Sequence, residues 1–226
     1  MPDIRVFITT IGEKILFDSI AMLKSYTPDP FKITIWYDAC GRGVDDDFVE
    51  SLRSYTDDII VSHENKTLAA TWAFALLYLK YDFLILTCPD SLPREDYFQR
   101  IMEPFRNPKV GLVGNINHHD ADGTVISDFA KGPDSIFAIR REAVNACGGY
   151  SPSFNGRGPF QQEIYRRMAR RGWDFAGVKG LLEDSNACHA WDLDDNWKSD
   201  LDKDNQLWSR LEKKDYRNYN WWSDAL

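Results

Sequence analysis

Hydroxyl and carboxylate side chains stand at the ends of several apolar runs in the first part of the chain. Thr9 and Thr10 end the first run, and Asp38 ends the second. Asp90 follows a third run in the stretch DFLILTCPD. Because the carboxyl ends of neighbouring parallel strands meet at one edge of a sheet, these side chains are expected to line one crevice. Taken singly, Asp38 could instead cap the turn DACGRG, and Asp90 could cap a helix after Pro93.

The periodicity around these residues predicts strands and helices in strict alternation. Such a β-α-β-α-β-α-β order favours right-handed crossovers and a mostly parallel, buried sheet, as in a Rossmann-like α/β fold. The predicted strands are 4–12, 31–40, 58–65 and 82–90, and the predicted helices are 13–26, 44–55 and 67–81.

The second half of the chain has a mixed pattern. It predicts two strands around a polar turn, a strand that runs into a short helix, a basic amphipathic helix and further short strands. Without a repeat or a linker, the pattern indicates one domain. Its parts are a nucleotide-binding half at 1–92, a smaller mixed half at 93–191 and a tail at 192–226 with a helix within 205–216.

Composition narrows the class of protein. The 226 residues are 43% hydrophobic and carry a formal net charge of −8, which argues against a broad nucleic-acid-binding face. No secretory signal and no apolar run of about 18 residues is found, so no membrane span is expected. The four cysteines are far apart and indicate reduced thiols in a cytoplasmic protein. A zinc site of two cysteines and a histidine stays open.

No glycine-rich phosphate loop follows the first predicted strand. The segment TTIGEK, which contains Glu13, matches neither the dinucleotide-binding pattern nor the P-loop pattern. A bound nucleoside diphosphate would therefore need another source of positive charge. A divalent metal held by Asp90 and a histidine would supply it.

The stretch LILTCPDSLP resembles the strand end of inverting GT-A glycosyltransferases of family 2, which often reads L-L-N-P-D-x-x-P. In that family the acid is the metal ligand, so the resemblance implies this role for Asp90, with Cys88 where the family has Asp or Asn. The late segment ACHAW is similar to the histidine that completes the metal site, which implies His189 as the second ligand.

Two further segments are similar to the nucleotide-binding motifs of the same family. ITIWYDACGRG resembles V-V-D-N-x-S, whose acid contacts the base, and HENKTLAATWAFAL resembles E-N-x-G-x-x-x-A-x-N, with Thr67 where glycine is usual. The predicted nucleotide-sugar site consists of Thr9, Thr10, Glu13, Asp38, Asn65 and Arg140. In this site, Arg140 or Arg141 would approach the diphosphate.

The helix FQQEIYRRMARRGW resembles E-D-x-D-L-x-x-R-x-x-x-x-G, with Arg167 and Gly172 in register. Gln161 stands where the family has its catalytic base, and the nearest acid is Glu163. Three interpretations stay open. Glu163 serves as the base through a local shift of the helix start, the enzyme uses retaining chemistry, or the chain is a binding-only relative.

The resemblance implies a metal-dependent glycosyltransferase, with manganese or magnesium as cofactor. It would move a hexosyl or pentosyl group from a nucleotide sugar, with UDP favoured as the nucleotide and inverting chemistry favoured over retaining chemistry. The expected acceptor is soluble: a glycan, a protein, a metabolite or a modified nucleic acid base. The alternatives are a non-catalytic sugar-nucleotide or glycan binder and a nucleotidyltransferase of the same fold class.

Overall fold

The described residues of the computed structural model form eight strands and seven helices. The structure describes residues 2–27, 30–41, 43–64, 66–116, 125–126, 137–151, 153–154, 160–182 and 197–212. The strands are β1 (Ile4–Thr10), β2 (Lys32–Asp38), β3 (Asp58–Ser62), β4 (Phe83–Thr87), β5 (Val110–Ile116), β6 (Val125–Ile126), β7 (Phe137–Arg140) and β8 (Asp174–Lys179). The helices are α1 (Ile15–Tyr26), α2 (Asp46–Leu52), α3 (Leu68–Tyr78), α4 (Tyr97–Met102), α5 (Arg141–Cys147), α6 (Phe160–Arg170) and α7 (Trp197–Glu212).

All eight strands belong to one sheet in the order β3-β2-β1-β4-β7-β5-β8-β6. Strands β1 to β4 are parallel to one another, and β5 and β8 also pair in parallel. Strand β7 lies antiparallel between β4 and β5, and β6 is antiparallel to β8. The expectation of a mostly parallel α/β sheet flanked by helices is confirmed.

Helices cover both faces of the sheet, because its central strands are apolar on both sides. One core joins the sheet to α3, α5 and α6, and it includes Phe7 of β1 and Trp72 of α3. The second core joins the opposite face to α1 and α4, and it includes Ile8 of β1 and Leu16 of α1. Alternate residues of β1 therefore serve opposite layers, as the pleat of a strand requires.

The structure adds elements that periodicity did not indicate. The 3-10 turn at Glu103–Arg106 was not predicted, because it is too short to show a period. Helix α4 begins at Tyr97, later than the helix after Pro93 that the capping alternative assumed. Helix α7 begins at Trp197, ahead of the predicted start at Asn205. Among the described helices, none has the length and apolar character needed to cross a membrane.

Strand β5 packs its backbone closely against the layer that contains α5. Its register to β8 shifts between Val110 and Leu112, so Gly111 lies at an irregularity of the ladder. A Cβ atom at Gly111 would lie 2.9 Å from the Cβ atom of Ala143 and 3.1 Å from the ring of Trp173. Only glycine fits this approach without movement of its neighbours.

We therefore expect Gly111→Ala to lower the free energy of unfolding by about 1–3 kcal/mol through overpacking. Urea unfolding followed by circular dichroism measures this loss. Gly149→Ala is the matched control, since its Cβ atom would meet Leu76 at an ordinary 3.4 Å. Equal effects of the two substitutions would contradict the close packing at β5.

Candidate functional site

The strand order reverses at β1. The chain builds β2 and β3 on one side of β1 and then crosses to build β4 on its other side. In open α/β sheets, such a reversal separates the loops at the carboxyl ends of the two strands and leaves a crevice there. The end of β1 at Thr9 and Thr10 and the end of β4 at Thr87 define this crevice, and Ile8 and Thr87 are the last pair of the ladder between the two strands. The segment that carries Asp90 leaves β4 at the same edge.

The pleat divides the predicted nucleotide-binding residues between the two faces of the sheet. Thr9 pairs with Trp36, and both share the face that carries α3. Asp38 lies two residues beyond Trp36 and is on the same face, and Cys88 also packs against the α3 core. Thr10 lies on the opposite face, towards α1. The structure therefore brings Thr9, Asp38 and Cys88 to one side of the crevice and separates Thr10 from them.

A carboxylate shapes the loop between β1 and α1. The Glu13 Oε2 atom accepts hydrogen bonds from the Thr10 hydroxyl at 2.5 Å and from the Ile11 amide at 2.8 Å. The Gly12 amide donates to the Thr10 hydroxyl oxygen at 3.0 Å. The predicted site residues Thr10 and Glu13 thus form the loop's own hydrogen-bond network. This network takes the place of the glycine-rich turn that the sequence lacks.

Asp38 joins two neighbouring loops. Its Oδ1 atom accepts from the Cys40 amide at 2.8 Å, and its Oδ2 atom accepts from the Lys66 amide at 2.6 Å. The side chain is buried, with 5% of its surface exposed. The bond to Cys40 is the turn cap that the sequence offered as an alternative role for Asp38. The bond to Lys66 holds the chain that leads into α3. Each oxygen retains a second lone pair for a ligand in the crevice.

The segment after β4 is held from two sides. The Ser91 amide donates to the Cys88 carbonyl at 3.2 Å, which closes a turn around Asp90, and the Ser19 hydroxyl of α1 donates to the Ser91 carbonyl at 3.0 Å. Asp90 itself is half-buried. Helix α4 begins at Tyr97, so Asp90 does not cap it.

The same segment is joined to the chain that leaves β8. Pro93 pairs with Leu182 in an isolated antiparallel bridge. The Arg94 amide donates to the Leu181 carbonyl at 3.0 Å, and the Arg94 Nε atom donates to the Leu182 carbonyl, also at 3.0 Å. Leu182 is the last described residue before the gap at 183–196, and it lies beside the segment of Asp90. The predicted ligands Asn65 and His189 lie outside the described residues.

The structure does not bring Arg140 to the crevice. Arg140 pairs with Phe83, at the amino end of β4, because β7 is antiparallel to β4. Its guanidinium donates to the carbonyls of Val110 and Phe105 at 3.1 and 2.6 Å and lies 5.0 Å from the ring centroid of Phe83. This placement corrects the expectation that Arg140 approaches the diphosphate, since the residue lies at the opposite edge of the sheet.

Glu163 and Gln161 lie in different surroundings on α6. Glu163 is fully buried, and both of its carboxylate oxygens accept from the Arg167 guanidinium, at 2.5 and 2.7 Å. Gln161 is half-buried. The placement does not favour the expected role of Glu163 as a base, because its carboxylate has no exposed surface at which to meet an acceptor.

Asp90 is the carboxylate at the crevice that the sequence predicts as a metal ligand. Asp90 offers oxygen ligands of the kind that Mg²⁺ and Mn²⁺ prefer. No group of three or more His, Cys, Asp or Glu side chains within the described ranges is placed to hold a metal ion. A complete coordination sphere would therefore need ligands from elsewhere, such as a substrate phosphate or the segment that follows residue 182.

The fold is the GT-A fold. The structure is similar to that of PcManGT, a mannosyltransferase from Pyrobaculum calidifontis solved with GDP-Man and Mn²⁺. The TM-score is 0.61 and the identity 16%, over 84% of this chain and 59% of that chain. It is also similar to S. aureus TarS 1-349, with a TM-score of 0.59 and 10% identity over 78% of this chain and 58% of that chain.

A second structure of S. aureus TarS matches with a TM-score of 0.58 and 11% identity, over 79% of this chain and 35% of that chain. The chain thus spans less than two thirds of each of these proteins. No family model and no curated protein matches the sequence. The similarity at these identities shows the fold, and the GT-A fold expected from the strand-end motif is confirmed.

The two bonds accepted by Asp38 lead to a stability prediction. We expect Asp38→Asn to lower the free energy of unfolding by about 1–3 kcal/mol, because an amide nitrogen would face a backbone N–H group and leave it unpaired. Urea unfolding measures the loss, and hydrogen exchange at the Lys66 amide locates it.

Asp45→Asn is the matched control for this substitution. Asp45 caps α2 through a bond from the Phe48 amide, and asparagine caps helices equally well. A change of only a few tenths of a kcal/mol is expected for the control. The same small change in Asp38→Asn would show that the two loops do not depend on this carboxylate.

Proposed function

We propose that this protein is a glycosyltransferase that transfers a sugar from a nucleoside-diphosphate sugar to a soluble acceptor. One observation carries the proposal. The crevice at the order reversal of a GT-A sheet is lined by Thr9 and Asp38 on one side, and the segment of Asp90 leaves the adjoining strand. The similarity to a mannosyltransferase solved with GDP-Man and Mn²⁺ supports this choice of ligand class.

The nucleoside would occupy the α3 side of the crevice. Asp38 offers a rigid, buried carboxylate that can accept from a ring N–H group of uracil or guanine. Thr9 lies on the same face as Asp38 and is half-buried, so its hydroxyl could bind the ribose. Asn65 is the further contact that the resemblance implies. UDP is the nucleotide favoured by the sequence, and the titration below tests UDP-sugars and GDP-sugars alike.

The charge of the crevice suits a metal-bound diphosphate. Glu13, Asp38 and Asp90 place three carboxylates around the ends of β1, β2 and β4. A diphosphate in such surroundings needs a cation to offset the repulsion. A divalent metal held by Asp90, with His189 as the second proposed ligand, would neutralise the charge that develops on the leaving nucleotide. The Pro93–Leu182 bridge supports this pairing, because it places Leu182, which precedes His189 in the sequence, beside the segment of Asp90.

The protein's own residues would orient the reaction. The hydrogen bonds of Glu13 hold the β1–α1 loop, and the bond of Ser19 holds the segment of Asp90. The nucleotide sugar would therefore bind to loops that are already in place. The acceptor would approach from the side of α6, where Gln161 is the half-buried residue of the catalytic pair that the sequence predicted. Retaining and inverting chemistry are both compatible with this arrangement.

A non-catalytic nucleotide-sugar binder is the second candidate. It is favoured by Gln161, which stands where the resemblance implies the base, and by the buried ion pair of Glu163. The two candidates differ in one measurement. Only the transferase adds to the free nucleoside diphosphate that a cell extract with acceptors releases from the nucleotide sugar without this protein.

The ligand class is tested by thermal-shift titration of the purified chain. We expect one UDP- or GDP-sugar to raise the melting temperature in the presence of Mn²⁺ and to have little effect after chelation, because binding to the native state stabilises it by linkage. Asp90→Asn is expected to abolish this metal-dependent shift.

Asp96→Asn is the control for the loss of a carboxylate, since Asp96 is exposed and lies 3.6 Å from Arg100. It is expected to keep the full ligand-induced shift. Metal-dependent binding that survives Asp90→Asn would overturn the role of Asp90. The absence of any shift with every nucleotide sugar would overturn the proposed function.

A further inference from the structure

Glu163 and Arg167 form a buried ion pair one helical turn apart. The Arg167 Nε atom lies 2.5 Å from Glu163 Oε1, and its Nη2 atom lies 2.7 Å from Oε2, so the contact is bidentate. Glu163 has no exposed surface and Arg167 is 6% exposed. A buried charge is tolerated only when it is paired and hydrogen-bonded, and this pair meets both conditions.

Arg167 also reaches outside its own helix. Its guanidinium donates to the carbonyl of Cys147 and, at 2.6 Å, to the carbonyl of Gly149. These carbonyls end α5 and begin the segment that leads back to α6. We call this set of bonds the clasp: the Glu163–Arg167 pair together with the bonds of Arg167 to Cys147 and Gly149. The clasp joins the start of the α5–α6 connection to the helix that follows it.

The segment held by the clasp contacts the start of α3. We call residues 147–154 the wall segment, of which the structure describes all but residue 152. Its buried side chains include Tyr150 and Phe154, which pack in the α3 core. The Thr67 hydroxyl at the start of α3 donates to the Phe154 carbonyl at 3.4 Å. The preceding residue, Lys66, is the one whose amide binds Asp38.

We propose that Glu163 and Arg167 are positioning residues that fix the wall segment on the acceptor side of the crevice. Glu163 holds the Arg167 guanidinium in place and balances its charge, and Arg167 holds the carbonyls of the wall segment. This inference rests on the proposed glycosyltransferase function, and it assigns the acidic residue of α6 a role other than proton transfer. The reacting atoms would be met by other groups.

The geometry separates this role from that of a base. Every oxygen of Glu163 is occupied by the guanidinium, and a proton accepted there would leave Arg167 as an unpaired buried charge. A base must also lie within hydrogen-bond reach of the acceptor hydroxyl, which a residue without exposed surface does not achieve while the pair is intact.

The test compares Glu163→Gln, Arg167→Met and the double variant in the full chain. Each single substitution leaves a buried group without its counter-charge or its carbonyl bonds, so we expect the melting temperature to fall by about 10 °C. The double variant is expected to melt no lower than the worse single variant, because it contains no unpaired charge. It therefore keeps the proposal testable if either single variant fails to fold.

Two further readouts separate positioning from mere stability. Hydrogen exchange of the wall-segment amides is expected to accelerate about tenfold or more in all three variants, while the amides of β1 stay protected. With the nucleotide sugar identified by the titration above, the dissociation constant should stay within about threefold. The rate at which the variants hydrolyse the nucleotide sugar should fall about tenfold to a hundredfold, because a shifted wall segment misplaces the reactants.

Arg5→Met is the matched control. Arg5 is another buried arginine bonded to an acid, at 2.6 Å from Asp58, and it lies on β1 towards its amino end, away from the crevice. Arg5→Met is expected to lower the melting temperature. Hydrogen exchange of the wall-segment amides and hydrolysis of the nucleotide sugar should stay at the wild-type level.

Two results would overturn the proposal. If Glu163→Gln reduces hydrolysis about a hundredfold or more while melting and exchange are unchanged, Glu163 is a base. If melting falls but exchange and hydrolysis do not respond, the pair stabilises the fold without positioning the wall. If no nucleotide sugar binds the wild-type chain, the proposed function fails, and the melting and exchange measurements still decide whether the clasp exists.

Discussion

The position of β1 between two parallel neighbours is the constraint on which the rest of the structure depends. Val6, Phe7 and Ile8 are fully buried, so β1 has helices on both faces and a strand on both edges. Parallel neighbours require crossovers, and the crossovers to β2 and to β4 leave in opposite directions. The crevice is therefore a consequence of topology, and the chemistry of the site lies in whichever side chains end these strands.

The loops at this edge are shaped by carboxylates rather than by glycines. Glu13 organises the β1–α1 loop, and Asp38 ties the loop after β2 to the start of α3. This solution gives firm loops and also concentrates negative charge where a diphosphate is proposed to bind. A diphosphate bound at such an edge would need a cation to offset the repulsion between its charge and the carboxylates. A glycine-rich loop, in contrast, can bind phosphates with backbone N–H groups alone.

The sequence could predict the first half of the fold because strand and helix periods are strong there, and parallel topology follows from their alternation. It could not predict that Arg140 lies away from the site, because this depends on β7 being inserted antiparallel beside β4, a long-range pairing without local signal. The ion pair of Glu163 and Arg167 could be predicted from the sequence, since an acid and an arginine four residues apart on a helix lie next to each other. The roles of Asn65 and His189 stay predictions.

Helix geometry decides how the acceptor side should be understood. Residues 161 and 163 are separated by about 200° around an α-helix, so a helix that buries Glu163 turns Gln161 towards a different environment. A shift of the helix start that exposed Glu163 would have to break its bonds to Arg167 and, with them, the hold on Cys147 and Gly149. Of the three interpretations that the sequence left open, the first therefore demands the largest rearrangement. Retaining chemistry and binding without transfer demand none, and they differ in whether the nucleotide sugar is consumed.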